Sequence, residues 1–301
     1  MDTETLSGRI TSVHHTPEWE AKWREQQTYT TTVNGKSVTR TRWVTRRETH
    51  SPKWWAETTV GDISMSQGYF NHIGQKYGIE KEMGYRPNFN SGDRYDYYSH
   101  VNDDPEFCDY PVTQTAHWQN PLKNSKGLHS FKKINEEEAL KMGLPNYPQN
   151  DSFKSSRLID GVPIDIWNWD KLNAALGANH KVNLIMVNLG GGIENAKNLQ
   201  AYWKNGKKND IVMCYGDGWS YVFGWSETEL VKLNLQTILL DNPVNDGIIP
   251  LIKEEIRKNF KPHKWTMYEE QEFIVPTWTV VTAFILMILS QIGLYYTFHK
   301  N

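Results

Sequence analysis

From Phe273 to Phe298 the chain carries no charged side chain: FIVPTWTVVTAFILMILSQIGLYYTF. As a helix rising about 1.5 Å per residue, this run reaches ~39 Å, enough to cross a hydrocarbon core of about 30 Å with some tilt. A helix buried in a water-soluble fold would keep a polar stripe at the helical period. The polar residues here are Thr277, Thr279, Thr282, Ser290, Gln291 and Thr297. Hydroxyls can bond back to the helix backbone, and Gln291 lies near the far end, within reach of the interface. Trp278 at one end and Tyr295 and Tyr296 at the other sit at the levels where amphipathic rings settle among headgroups. The sequence therefore predicts one membrane-spanning helix over 273–298, with the lipid bilayer as partner and these three aromatics at its interfaces.

Orientation follows from flanking charge. Lys253, Arg257, Lys258, Lys261 and Lys264 precede the run and Lys300 follows it, so the positive-inside rule keeps residues 1–272 on the cytoplasmic side. The opening stretch MDTETLSGRITSV lacks the basic and apolar regions of a secretory signal. Two cysteines, Cys108 and Cys214, in 301 residues argue against a disulfide framework and fit a reducing compartment. The expectation is a single-pass, tail-anchored protein. Thr279 and Ala283 form a small-x-x-x-small pair through which the membrane helix could self-associate into a homo-oligomer.

Charge is nearly balanced, 33 basic against 35 acidic side chains, so bulk electrostatics do not point to nucleic acid as a partner. Thirteen tryptophans and fifteen tyrosines suit contact surfaces as well as cores, and make a protein partner the expectation.

The fold class expected is α+β or α/β. A β-rich region spans 1–125, a linker with a short helix 126–164, a mixed-sheet α/β domain 165–262, and the membrane helix 273–298. Within 28–44, two β-branched runs flank Asn34-Gly35, the strongest short signal for a hairpin. The period of two puts Arg40, Arg42 and Arg46 on one face of its second strand. This basic strip suits phosphate, lipid headgroups or nucleic acid; equally, it suits a solvated edge that charge protects from aggregation. A short helix is expected between Ser64 and Gly78, capped by Ser64 or Ser66. Residues 84–125 show little periodicity and predict a long loop.

Glu136–Met142 predicts a helical turn or two, and Leu144–Ser156 a linker. Then follow a helix over Trp167–Leu176 ended by Gly177, a buried strand Val182–Asn188, a helix Ile193–Lys204 and strands Ile211–Tyr215 and Trp219–Trp225. A helix capped by Ser226 and Glu229 runs to Leu240, and a last amphipathic helix spans Ile248–Phe260.

This order, leading into a membrane helix, resembles the TPM domain family. The resemblance is carried by VNLIMVN (182–188) and by Ala196 through Trp203-Lys204-Asn205-Gly206-Lys207, similar to the family's Trp-x-x-Gly-Lys stretch. It continues through IVMCY (211–215) and Asp246-Gly247-Ile248-Ile249. It covers about a third of the chain, and departs where the family commonly has Asn-Asn-Gly and this sequence has Asn209-Asp210-Ile211. It implies a mixed sheet covered on both faces. Phosphatase activity and calcium binding are attributed to some members, and others act in assembling or maintaining membrane complexes.

Candidate sites are sparse. Gly190-Gly191-Gly192 lies between a buried strand and a helix, where a backbone nest could hold an anion, but neither the phosphate-loop nor the dinucleotide pattern is present. Asp217, Asp241 and Asp246 fall at turns of the α/β region and could supply oxygens to Ca or Mg, or serve turn chemistry alone. Asp93, Asp96, Asp103, Asp104 and Asp109 collect in the expected loop. The histidines are scattered, without zinc spacing. Two functions result: a membrane-tethered body that recruits or scaffolds a protein partner or membrane complex, preferred, and a metal-dependent phosphatase-like hydrolase. Fold kinship alone does not carry an activity.

Overall fold

The first strand, β1 (Asp2–Thr16), organises the N-terminal region. Its residues 2–9 pair antiparallel with β9 (Pro111–Trp118), and residues 10–16 lie between β4 (Lys53–Thr58) and β8 (Tyr95–His100). A register shift between Ile10 and Ser12 lets Ile10 and Val13, three positions apart, both reach the core. β5 (Ile63–Ser64) and β6 (Glu80–Met83) complete a sheet of order β5-β4-β1-β8-β6. Helix α1 (Gln67–Tyr77) packs Phe70 and Ile73 against Ile10, Val13, Ala56 and Val112. It is capped by Ser66, whose Oγ accepts from the Tyr69 amide, as one of the two expected caps.

The computed structural model describes residues 2–105, 108–118 and 134–262. The expected membrane helix, with Trp278, Tyr295 and Tyr296, lies outside them, as do residues 126–133 of the expected linker. Among the described residues no helix is long and apolar enough to cross a membrane.

The hairpin is longer than its sequence signal. β2 (Trp19–Val33) and β3 (Lys36–His50) pair over fifteen rungs. Asn34 and Gly35 both have positive φ, 51° and 73°, the pair of angles a two-residue turn demands. The long loop expected over 84–125 is corrected: β7 (Phe89–Gly92), β8 and β9 occupy much of its described part. Polar and tyrosine side chains on both faces of these short strands hide the period of two.

In the second half, β10 (Leu158–Ile159), β11 (Asn183–Asn188), β12 (Asp210–Gly216) and β13 (Trp219–Gly224) form a mixed sheet in that order. The first two neighbour pairs are parallel and the last antiparallel. α3 (Ile166–His180), α5 (Glu229–Asp241) and α6 (Ile249–Asn259) supply Leu172, Leu235 and Ile252 to the core on one face. On the other, α4 (Ile193–Tyr202), Ala139 of α2 (Glu136–Lys141) and Leu144 cover Val187, Val212 and Phe223. β10 extends this sheet upstream of residue 165; two residues are too short to leave a sequence pattern.

Three helix ends differ from expectation. Gly177 lies inside α3, and the helix ends at Lys181 in a left-handed conformation. A Cβ at Gly177 would stand 2.3 Å from the Ser7 carbonyl oxygen, so this glycine permits close approach to β1. α5 begins after Thr228, and Ser226 instead donates to the Lys261 carbonyl. A 3-10 turn at Asp246–Ile248 precedes α6.

The β1-centred sheet and the β10–β13 sheet belong to one compact unit, joined through α3 and a buried polar seam. The Asn209 side chain accepts from the Thr5 amide at 3.3 Å and donates to the Thr5 carbonyl, completing a peptide-like pairing for β1. Asn209 belongs to the stretch that departs from the TPM pattern, and here it ties the two halves together.

Candidate functional site: a basic β arm and an apolar helix face

The β2–β3 hairpin is an arm. Among the described residues only its base is supported: Trp19, Glu20 and Ala21 pair with β7, the Lys22 amide donates to the Asn88 carbonyl, and Trp19 stacks on His50 at 3.9 Å. Beyond Lys22, among the described residues, β2 and β3 have no strand partner but each other. From Trp23 to the turn that is about 35 Å of two-stranded ribbon at ~3.3 Å per residue. Both faces are open to solvent, and from Lys36 to Thr49 only Val44 is better than exposed.

Opposed pairs fix the faces. One carries Trp23, Tyr29 and Val33 with Lys36, Arg40, Arg42 and Arg46, so the three expected arginines do share a side. Arg46 pairs with Glu25 at 2.6 Å, and Arg42 donates to Gln27 and lies 5.4 Å over the Tyr29 ring. The other face presents Lys22, Arg24, Arg47, Trp43 and a threonine ladder, Thr28 opposite Thr41 and Thr30 opposite Thr39. β-branched cross-strand pairs hold the ribbon, which leaves Tyr29, Val33, Val38 and Trp43 exposed.

A second surface lies on α5. Val231, Leu235 and Leu239 face the core, whereas Leu230, Leu233 and Leu240 are 50%, 58% and 55% exposed. At about 100° per residue those three leucines and Thr237 fall within one arc of about 80°, so they form a stripe. Between α3 and α6 runs a groove of about 410 Å³ lined by Asn168, Lys171, Leu172, Asp246, Ile249, Pro250 and Lys253. Ile166 and Trp167, at the start of α3, are exposed next to Asn168 in sequence.

The expected metal residues lie on separate elements. Asp217 sits in the β12–β13 turn and Asp241 ends α5. Asp246 accepts from the Asp165 amide and, at 3.0 Å, from Asn168 Nδ2, tying the 3-10 turn to the start of α3. Among the described residues no group of three or more His, Cys, Asp or Glu could hold a metal ion. The other aspartates are engaged: Asp96 with Arg86, Asp103 with Arg9, Asp109 with Lys76 and Tyr77, and Asp93 with Tyr97.

The glycine turn precedes α4, with Gly191 and Gly192 at positive φ and no side-chain cap on the helix. Asn195 Nδ2 closes the turn onto the Gly190 carbonyl at 3.0 Å, which is what a tight turn requires.

Sequence spacing gave no sign of the buried seam. Arg157 is 1% exposed and uses every arm of its guanidinium. Nε donates to Asn183 Oδ1 (2.8 Å), Nη1 to Asp170 (3.0 Å), and Nη2 to Ser7 (2.7 Å) and Thr113 (2.8 Å). Asn183 Nδ2 passes the chain on to Asp210 at 2.8 Å, which also accepts from the Tyr147 hydroxyl at 2.8 Å. Burial holds the Asp210 carboxyl above the usual carboxylate range and the Tyr147 hydroxyl far above its own. Desolvation likewise raises Asp170 despite its arginine. Reaching from Ser7 and Thr113 to Asp210, this network is a structural joint.

Ser12 Oγ lies 2.8 Å from His14 Nε2, a contact the scattered histidines did not foretell. The Ser12 hydroxyl donates to Glu57 at 2.8 Å, Ser12 is buried, and His14 stacks on Trp55 at 4.0 Å. A hydroxyl already committed to a carboxylate is not poised to give its proton to an imidazole, so the contact orders the sheet. Cys108 and Cys214 are free and buried, and burial pushes the Cys108 thiol up to about 12.

No family model, no curated protein and no solved structure matches this chain.

Proposed function

We propose that residues 273–298 hold this chain in a membrane and that its cytosolic body holds a protein partner there through the outward face of α5. The observation that carries the partner half is the leucine stripe. Single exposed leucines are ordinary, but three aligned on one helix, with the helix's other apolar side already buried, form a contact patch. The uncharged run of 26 residues supports the tether. The phosphohydrolase alternative needs converging carboxylates, and among the described residues nothing favours it.

The test is a photo-crosslinking phenylalanine analogue at Leu233 in the full chain, with the same analogue at exposed Glu137 as control. A discrete protein adduct is expected from Leu233 and none from Glu137. Leu230→Ser with Leu240→Ser should abolish it while lowering unfolding free energy by only about 1 kcal/mol. Equal adducts from both positions would refute the partner surface.

A further inference from the structure

The arm's charge does not match that of the chain that carries it. Residues 19–50 contain seven Lys or Arg against three Glu, a net +4, whereas the whole chain is −2, leaving −6 for everything else. From Gln26 through Arg47 there are five cations and no carboxylate. Protecting an edge from aggregation needs charge of any sign; it does not call for acids to be absent. Nor does it explain Trp43, which stands 64% exposed on the face opposite Tyr29.

We infer that the β2–β3 arm is a binding element for single-stranded nucleic acid. Arginine is the planar, bidentate partner of phosphate, and Arg24, Arg40, Arg42, Arg46 and Arg47 supply five guanidiniums along the ribbon. Trp43 supplies a flat ring on which an unpaired base stacks, and Tyr29 offers the ring face that Arg42 does not cover. Threonine hydroxyls and the Gln26 and Gln27 amides add neutral contacts to phosphate and base edges.

Geometry separates this ligand from its rivals. A membrane is a plane and would meet one face of the arm, leaving Trp43 or Tyr29 in water. A duplex hides the ring faces of its bases. A flexible single strand can pass over both faces of a ribbon about 35 Å long. The inference stands on the arm alone and needs neither the membrane helix nor the α5 partner.

The experiment is a fluorescence-anisotropy titration of the full chain, in neutral detergent, against a labelled oligouridylate of roughly 20 nucleotides. Between about 50 and about 200 mM salt, affinity should fall linearly on logarithmic axes. Arg40→Ser, Arg42→Ser and Arg46→Ser together should flatten that slope by about 2, the counterions of three phosphates. Trp43→Ala should weaken binding about tenfold at fixed salt with the slope unchanged, and Trp43→Phe should recover most of it. Circular dichroism confirms that each variant is folded.

Four results would overturn the inference. One is no binding by the folded chain at the lowest salt. Another is displacement by polyglutamate, charge for charge, with Trp43→Ala neutral, which would mean attraction to any polyanion. A third is tighter binding of the matching duplex. The last is hydrogen-exchange protection of residues 22–48 by anionic vesicles without oligonucleotide, which would assign the arm to lipid.

Discussion

Replacing Arg157 with methionine is expected to lower the unfolding free energy of the chain by about 3–5 kcal/mol, the range for breaking a buried ion pair from one side. The guanidinium holds Asp170, Asn183, Ser7 and Thr113 at once. Methionine fills much of its volume but returns no hydrogen bond, so a largely buried carboxylate, left with the Ser155 hydroxyl, and three buried neutral groups lose a partner. Lysine keeps the charge without the fork and should recover only part of the loss. A second change, Asp170→Leu, should restore some stability, because it removes a carboxylate that has lost its cation and keeps only the Ser155 hydroxyl. Urea midpoints followed by circular dichroism measure all of these. A loss below about 1 kcal/mol for Arg157→Met would mean the seam is not a joint.

The second large effect concerns sign. Glycine to alanine inside a helix ordinarily stabilises by about 1 kcal/mol. At Gly177 the added methyl would stand 2.3 Å from the Ser7 carbonyl oxygen and 2.9 Å from its Cβ. Backbone meets it, so either α3 or β1 must shift, and overpacking of this kind costs about 1–3 kcal/mol. Gly177→Ala should therefore destabilise, by up to about 2 kcal/mol net. Gly68 in α1 is the internal control: its nearest neighbour would be 3.9 Å away, and Gly68→Ala should be neutral or stabilising. Equal effects at both glycines would contradict the close packing of α3 on β1.

Much of the second half could be read from sequence because its signals are local. The run VNLIMVN is apolar at nearly every position, as a strand buried on both faces must be, and it became β11 within one residue. Asn34-Gly35 fixed the hairpin turn for the same reason, since two positive φ angles leave few residues to choose from. The N-terminal sheet was less legible. β8 reads YDYYSH, with tyrosines at positions facing both ways, and β6 and β7 are four residues each, so no alternation builds up.

Gly177 was misread because a glycine that ends a helix and one that admits a neighbouring strand look alike in one dimension. The Arg157 seam depends on Ser7, 150 positions away, and no local pattern could announce it. Among site residues, the period of two correctly grouped Arg40, Arg42 and Arg46, but not the open second face that carries Trp43. Of the turn aspartates, Asp246 bonds the Asp165 amide and the Asn168 side chain.

The central claim is that the body works while tethered, and extraction of membranes with alkaline carbonate tests it most directly. Full-length chain should remain with the sedimented membranes and rise with lipid in a flotation gradient, as a helix with about 20 or more apolar residues in hydrocarbon requires. Release into the supernatant alongside a water-soluble control would contradict it.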